Sequence, residues 1–154
     1  MKLFALFAAV AVADKGRPDT IDAAQRLEKL QDLVGGCMAD DFFTSNPKKH
    51  ARLTRKLTKL HSIATNYVSK AGNRQIEVDD DDDARINAHD PCSCISGAAG
   101  GYKSFFNRLA AANGFENEQD FVGGYRRGEA RKIQGKLIDN NLNAHYGCNL
   151  PNKD

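Results

Sequence analysis

The chain has 154 residues, 27% of them charged and 41% hydrophobic, with a formal net charge of +2. For that length one domain is the expectation, with two small subdomains as the alternative. Past the first 13 residues no stretch is long or apolar enough to cross a membrane, so the chain is not expected to be transmembrane.

The N-terminus reads MKLFALFAAVAVADKG. Lys2 gives a short positive segment, Leu3 to Ala13 an apolar stretch of 11 residues, and Ala11-Val12-Ala13 an A-x-A cleavage site before Asp14. This is the pattern of a secretory signal peptide over residues 1–13, too short for a spanning helix. The expected mature chain is 14–154, secreted and extracellular.

Asp19 or Thr20 is placed to cap a first helix running to about Val34. Ile21, Ala24, Leu27, Leu30 and Val34 recur at three- and four-residue steps. Gly35-Gly36 is the expected stop. CMADDFFTS reads as a short loop. Asn46-Pro47 supplies a cap and a proline at the first helical position. The second helix is then expected to run to about Lys70, with Leu53, Leu57, Leu60, Ala64, Tyr67 and Val68 on one face and Gly72-Asn73 at its end. These two helices make an N-terminal hairpin over 14–73.

Residues 74–100 lack helical periodicity and read as an acidic connector. RQIEV is the best strand candidate in the chain, and it is short. A third helix is expected near Gly101, with Tyr102, Phe105, Phe106 and Leu109 apolar and Gly114 ending it. Asn117 is placed to cap a fourth stretch containing Phe121, Val122 and Tyr125. A last helix is expected over about Glu129 to Asn143, with Ala130, Ile133, Leu137, Ile138 and Leu142 apolar. Residues 101–154 form the C-terminal helical unit. The expected class is all-α, a disulfide-stapled bundle of four to five helices.

Two segments look alike. AAQRLEKLQDLVGGC from Ala23 and AANGFENEQDFVGGY from Ala111 are identical at 8 of 15 positions. ARLTRKL from Ala51 also aligns with ARKIQGKL from Ala130 across one gap. A duplicated helical hairpin would account for this, and chance similarity is the alternative.

Export makes the four cysteines, Cys37, Cys92, Cys94 and Cys148, readable as two disulfides. A Cys92–Cys94 bridge would span one residue and is excluded on geometry. The C-x-C pair is then a hub, with one cysteine reaching back to Cys37 and the other forward to Cys148. Both such pairings remain open, and each bridge closes a loop of about 55 residues.

The net charge is uninformative, but the charges are sorted into blocks. Phe42 to Ile76 holds eight basic residues and no acidic one, and Glu77 to Asp83 six acidic residues and no basic one. Such sorting marks a solvated interaction surface or pairing between segments. At 100° per residue, Arg52, Arg55, Lys56 and Lys59 form a ridge on one flank of the second helix, with Thr54, Thr58, Thr65 and Ser69 on the other. The ridge suits an anionic polymer, a membrane surface or an acidic protein receptor. The plain alternative is the solvated side of a core helix. No aromatics interleave with the cations, so nucleic acid is not an expected partner.

Asp79, Asp80, Asp81, Asp82 and Asp83 place five carboxylates within about 17 Å of extended chain. Calcium, held without defined geometry, or a mineral surface would match them, and an acidic linker is the alternative. The spacing is not that of an EF-hand. No cofactor is expected, with calcium on these aspartates as the alternative. DDDDDAR followed by INAHD resembles the activation peptide of trypsinogens, which would imply processing after Arg85. Here Ala84 separates the aspartates from the arginine, and nothing downstream resembles a protease.

His89-Asp90 before a cysteine resembles the His-Asp pair of secreted phospholipases A2. The chain departs from that family in having no cysteine just before His89, and its glycines follow rather than precede the pair. His50, His61 and His145 show no metal-ligand spacing, and there is no nucleophile elbow or phosphate loop. The expectation is therefore non-enzymatic: an extracellular binding protein acting through segregated acidic and basic surfaces on matrix, mineral or another surface. The alternative is a secreted effector such as a defence protein, toxin or pheromone. A small calcium-dependent hydrolase of phospholipase type comes third.

Overall fold

The computed structural model describes residues 19–78, 86, 90–114 and 125–151. The fold is all-α with one small two-stranded ladder among the described residues. Strand β1 (Asp19–Asp22) pairs antiparallel with β2 (Gln75–Val78), Ile21 opposite Ile76. RQIEV is thus strand, but its partner is the segment expected to open the first helix. The correction has a local cause. Helix α1 (Ala23–Met38) is capped by Asp22, whose carboxylate accepts from the Gln25 N–H at 2.8 Å. Asp19 and Thr20 are left to extend. Beyond the ladder, Ala23 N–H donates to the Arg74 carbonyl at 2.9 Å and Ala24 N–H to Asn73 Oδ1 at 2.8 Å. Two of the orphan donors of the first helical turn are therefore met by the distant chain.

α1 also runs through Gly35-Gly36, its expected stop. A Cβ on either glycine would meet nothing within 4 Å. The next two residues, Cys37 and Met38, are buried. Their burial outweighs the propensity cost of about 1 kcal/mol per glycine. The segment read as a loop contains a single turn, α2 (Asp41–Thr44), capped by Asp40 and burying Phe43. Phe43 stacks edge-on against Tyr146 with ring centroids 5.0 Å apart.

Helix α3 (Pro47–Ala71) is the longest element. Asn46 caps it, accepting from Lys49 N–H, and proline opens it, as the sequence predicts. Leu53, Leu57, Leu60, Ala64 and Tyr67 are buried, Ile63 joins them, and Val68 packs at the margin. Gly72, at φ +97°, turns the chain out.

Helix α4 (Pro91–Ala112) begins ten residues before Gly101, its expected start, so the connector is shorter than read. Asp90 caps it, accepting from Cys92 N–H at 3.3 Å and Ser93 Oγ at 2.9 Å, and Pro91 takes the first helical position. Ile95, Ala98, Ala99, Tyr102, Phe105, Phe106 and Leu109 form its buried stripe. Its most extensive packing is against α1. Gly101 explains the approach: a Cβ there would lie 2.9 Å from Leu30 Cδ2 and 3.3 Å from Ile86 Cδ1. A glycine that reads as linker is a packing device here.

The last helix is not regular. α5 (Tyr125–Lys136) passes without a break into a π-helical segment (Leu137–Asn143) and then a turn, α6 (Ala144–Tyr146), which ends at Gly147 in the left-handed region. Ala130, Ile133, Leu137 and Leu142 are buried, and Ile138 is half-buried. The Asn143 side chain then grips the backbone of Leu150 in both directions. Its Nδ2 donates to the carbonyl at 2.8 Å and its Oδ1 accepts from the N–H at 2.7 Å.

The disulfides are Cys37–Cys94 and Cys92–Cys148, one of the two pairings left open. The helix decides between them. Positions i and i+2 are turned about 200° apart on an α-helix, so Cys92 and Cys94 face opposite sides of α4. Cys94 meets the end of α1, and Cys92 meets the chain that leaves α6.

The signal-peptide residues 1–13 and the expected fourth stretch from Asn117 as far as residue 124 lie outside the described residues, and its Tyr125 opens α5. Most of the second repeat copy also lies outside them. Its described part differs from the first. Ala23 opens a helix, whereas the matching Ala111 ends one, and Gly114, which matches Arg26, sits at φ +88°. The helical bundle stands; the duplication is not shown. No helix among the described residues is long and apolar enough to cross a membrane.

Candidate functional site

The cationic ridge becomes one wall of a groove. Arg52, Arg55, Lys56 and Lys59 line a depression of about 740 Å³ together with Thr54, Thr58, Ser62, Asn140, Asn141 and His145. α3 supplies the cations, because its other face is fixed in the core by Leu53, Leu57 and Leu60. The π-helical segment and α6 supply the asparagines and the histidine. Lys49 ties the two walls by donating from Nζ to the His145 carbonyl at 2.9 Å.

The electrostatics are one-sided. Among the described residues no carboxylate lies within ion-pair distance of Arg52, Arg55, Lys56 or Lys59. Lys56 is half-buried at the base of the ridge. Burial, and then the charges of Lys136, Lys59 and Arg55, push its ammonium below the usual lysine range. Its neighbours thus disfavour its own charge. An added anion would reverse that imbalance.

Asn141 is the other unusual group. It is 3% exposed, and its Oδ1 is buried without a hydrogen-bond partner. An unmet buried acceptor costs on the order of 1–3 kcal/mol. It sits in a π-helical segment, a winding that is rare and often found at functional sites. Sequence reasoning missed Asn140, Asn141, His145 and Lys136. Nothing local marks them; they reach the ridge only because α5 and its continuation pack on α3.

No family model matches the chain, and neither does any curated protein or solved structure. The site therefore rests on its own geometry.

The other predicted residues are dispersed. Asp79, Asp80, Asp81, Asp82, Asp83, Arg85 and His89 lie outside the described residues. Among the described residues no group of three or more His, Cys, Asp and Glu side chains converges as a metal site. Asp90 is occupied as the cap of α4. Ile86, which follows Arg85, is wholly buried against the Gly101 crossing. A protease must accept the residues on both sides of the bond, so cleavage after Arg85 requires Ile86 to leave the core first. Cys37 Sγ approaches the Ile86 carbonyl at 3.6 Å, a contact only, since a bridged sulfur has no hydrogen to donate.

One titratable pair joins α3 to α4. Tyr102 Oη lies 2.6 Å from His61 Nδ1, and in the tautomer with the proton on Nε2 the neutral imidazole accepts a hydrogen bond from the phenol O–H. Burial pushes His61 below its ordinary 6.5 and pushes the Tyr102 phenol well above its ordinary 10.0. Both shifts favour the neutral forms in the folded state. His61 binds its proton more readily when unfolded, so stability should fall as pH drops below about 6.5 through the lower folded value. Tyr102 ionises more readily when unfolded, so stability should fall again as pH rises past about 10. Urea midpoints across pH will check both limbs. His61→Gln should flatten the acid limb and Tyr102→Phe the alkaline one; unchanged limbs would show that other groups set the pH dependence.

Proposed function

We propose that the protein is a secreted, non-enzymatic binding protein that holds an anionic extracellular partner in the groove along α3. The observation that carries this reading is the charge pattern of α3. Pro47–Ala71 contains seven lysines and arginines and no acid. Lys48–Arg52, Lys49–Arg52, Arg52–Arg55, Arg52–Lys56, Arg55–Lys59 and Lys56–Lys59 are all like-charge pairs at three- or four-residue spacing. Each such pair destabilises a helix by about 0.2–0.5 kcal/mol. Together they cost on the order of 2 kcal/mol, which a merely solvated helix has no reason to carry. An anion in the groove would turn that repulsion into attraction. The disulfides and the A-x-A leader pattern support an extracellular setting, since bridges persist in oxidising compartments.

The test is titration with dextran sulfate at rising salt. If the four cations engage together, affinity should fall by about a hundredfold between about 50 and 200 mM salt, as it does for proteins that neutralise a polyanion. Absence of binding at the lower salt, or binding insensitive to salt, would sink the reading.

A further inference from the structure

The groove contains more than charge. Beside the cations it presents the hydroxyls of Thr54, Thr58 and Ser62 and the amides of Asn140 and Asn141. Thr54 Oγ1 is already spent on the His50 carbonyl, at 2.8 Å. Among the described lining residues there is no Phe, Tyr or Leu, so the groove offers neither a stacking platform for bases nor a seat for an acyl chain.

The buried Asn141 Oδ1 narrows the ligand further. It is an acceptor, and a bare sulfate or phosphate dianion carries only acceptors. The group that satisfies that oxygen must donate, and it meets the oxygen when the Asn141 amide turns toward the groove, since Oδ1 is fully buried as it stands. A hydroxyl donates one hydrogen bond and accepts others, so it can meet the Oδ1 of the amide and accept from a neighbouring donor of the groove. The ligand therefore carries anionic oxygens and hydroxyls together. Arg52 to Lys59 spans about 10 Å along the helix axis, the scale of a disaccharide repeat rather than of one isolated ion.

We infer that the groove takes an anionic carbohydrate, with its sulfate or carboxylate groups on Arg52, Arg55, Lys56 and Lys59 and a ring hydroxyl on Asn141. This rests on the reading of the groove as an anion site, and goes beyond it by separating sugar from other polyanions.

The experiment compares the full chain's affinity for a heparin-derived hexasaccharide with that for an inorganic polyphosphate of equal charge, which has no hydroxyls along its chain. The sugar should bind about tenfold tighter. Asn141→Leu should remove that preference by weakening the sugar about tenfold more than the polyphosphate. Should the variant fail to fold, methylating the hydroxyls of the hexasaccharide tests the same contact on the unaltered protein and should cost the same tenfold. Equal affinity for both polyanions, or a sugar affinity insensitive to Asn141→Leu and to methylation, would overturn the carbohydrate assignment and leave the anion site standing. Binding of anionic phosphatidylglycerol vesicles in preference to the sugar would also overturn it. Failure to bind any of the three would overturn both.

Discussion

Replacing Cys92 and Cys148 by serine is expected to lower stability by about 4 kcal/mol, and replacing Cys37 and Cys94 by a similar amount. The two bridges have sequence separations of 56 and 57 residues. Loops of that length restrict the unfolded chain by about 4 kcal/mol each in the chain-entropy view. Domains are typically stable by only about 5–15 kcal/mol, so loss of both should leave little folded protein at room temperature. For a chain of this size, each bridge should be worth on the order of 10 °C in melting temperature.

The two losses should differ in where they act. Cys37–Cys94 joins α1 to α4, helices already locked by Leu30, Gly101 and Ile86. Cys92–Cys148 holds the chain just after the segment that forms the second wall of the groove. The serine pair at Cys92 and Cys148 should therefore also weaken polyanion binding, while the other pair should spare it at temperatures where it stays folded. Calorimetric melting with binding measured in parallel checks both. A melting temperature within about 2 °C of the parent would mean that the reduced chain's own packing supplies what the loop argument assigns to the bridges.

Elements were legible in the sequence where cap and stripe agreed. Asn46-Pro47 followed by the leucines of α3 is such a case. Asp90-Pro91 carries the same signal, followed by Ile95, Ala98, Tyr102, Phe105 and Leu109 in register. It was masked because Gly97, Gly100 and Gly101 read as linker and the aspartate run lies just before. Only the packed structure shows that Gly101 is small because Leu30 and Ile86 lie against it. Gly35-Gly36 misled in the opposite sense: a propensity signal was outweighed by burial of the two residues beyond it. The disulfide pairing became legible only once Cys92 and Cys94 were known to sit on a helix. The cation ridge was readable from residue spacing alone. Its facing wall was not, because a change to π-helical winding at Leu137–Asn143 leaves no clear mark in LIDNNLN, and its approach to α3 is a tertiary fact.

Neutralising the ridge is expected to move stability and binding in opposite directions. Arg52→Gln with Lys56→Gln removes five of the six like-charge pairs on α3 and leaves only Arg55–Lys59. Glutamine has nearly the helix propensity of arginine and lysine, so the change isolates charge. At low salt the variant should be more stable by about 1–2 kcal/mol, because each pair removed returns a few tenths. The shift should be larger for Lys56 than for a fully exposed lysine, since burial and three neighbouring cations already push its ammonium toward neutrality. Affinity for dextran sulfate should meanwhile fall by about a hundredfold, roughly tenfold for each charge removed. A solvated core helix predicts something else: a small change in stability of either sign and no change in binding. Thermal melts and titrations on the same samples, at low and at physiological salt, separate the two. The stability gain should shrink at higher salt as the cations are screened from one another. A destabilised variant with unchanged affinity would show that these cations serve the fold, and the groove would lose its claim to be a site.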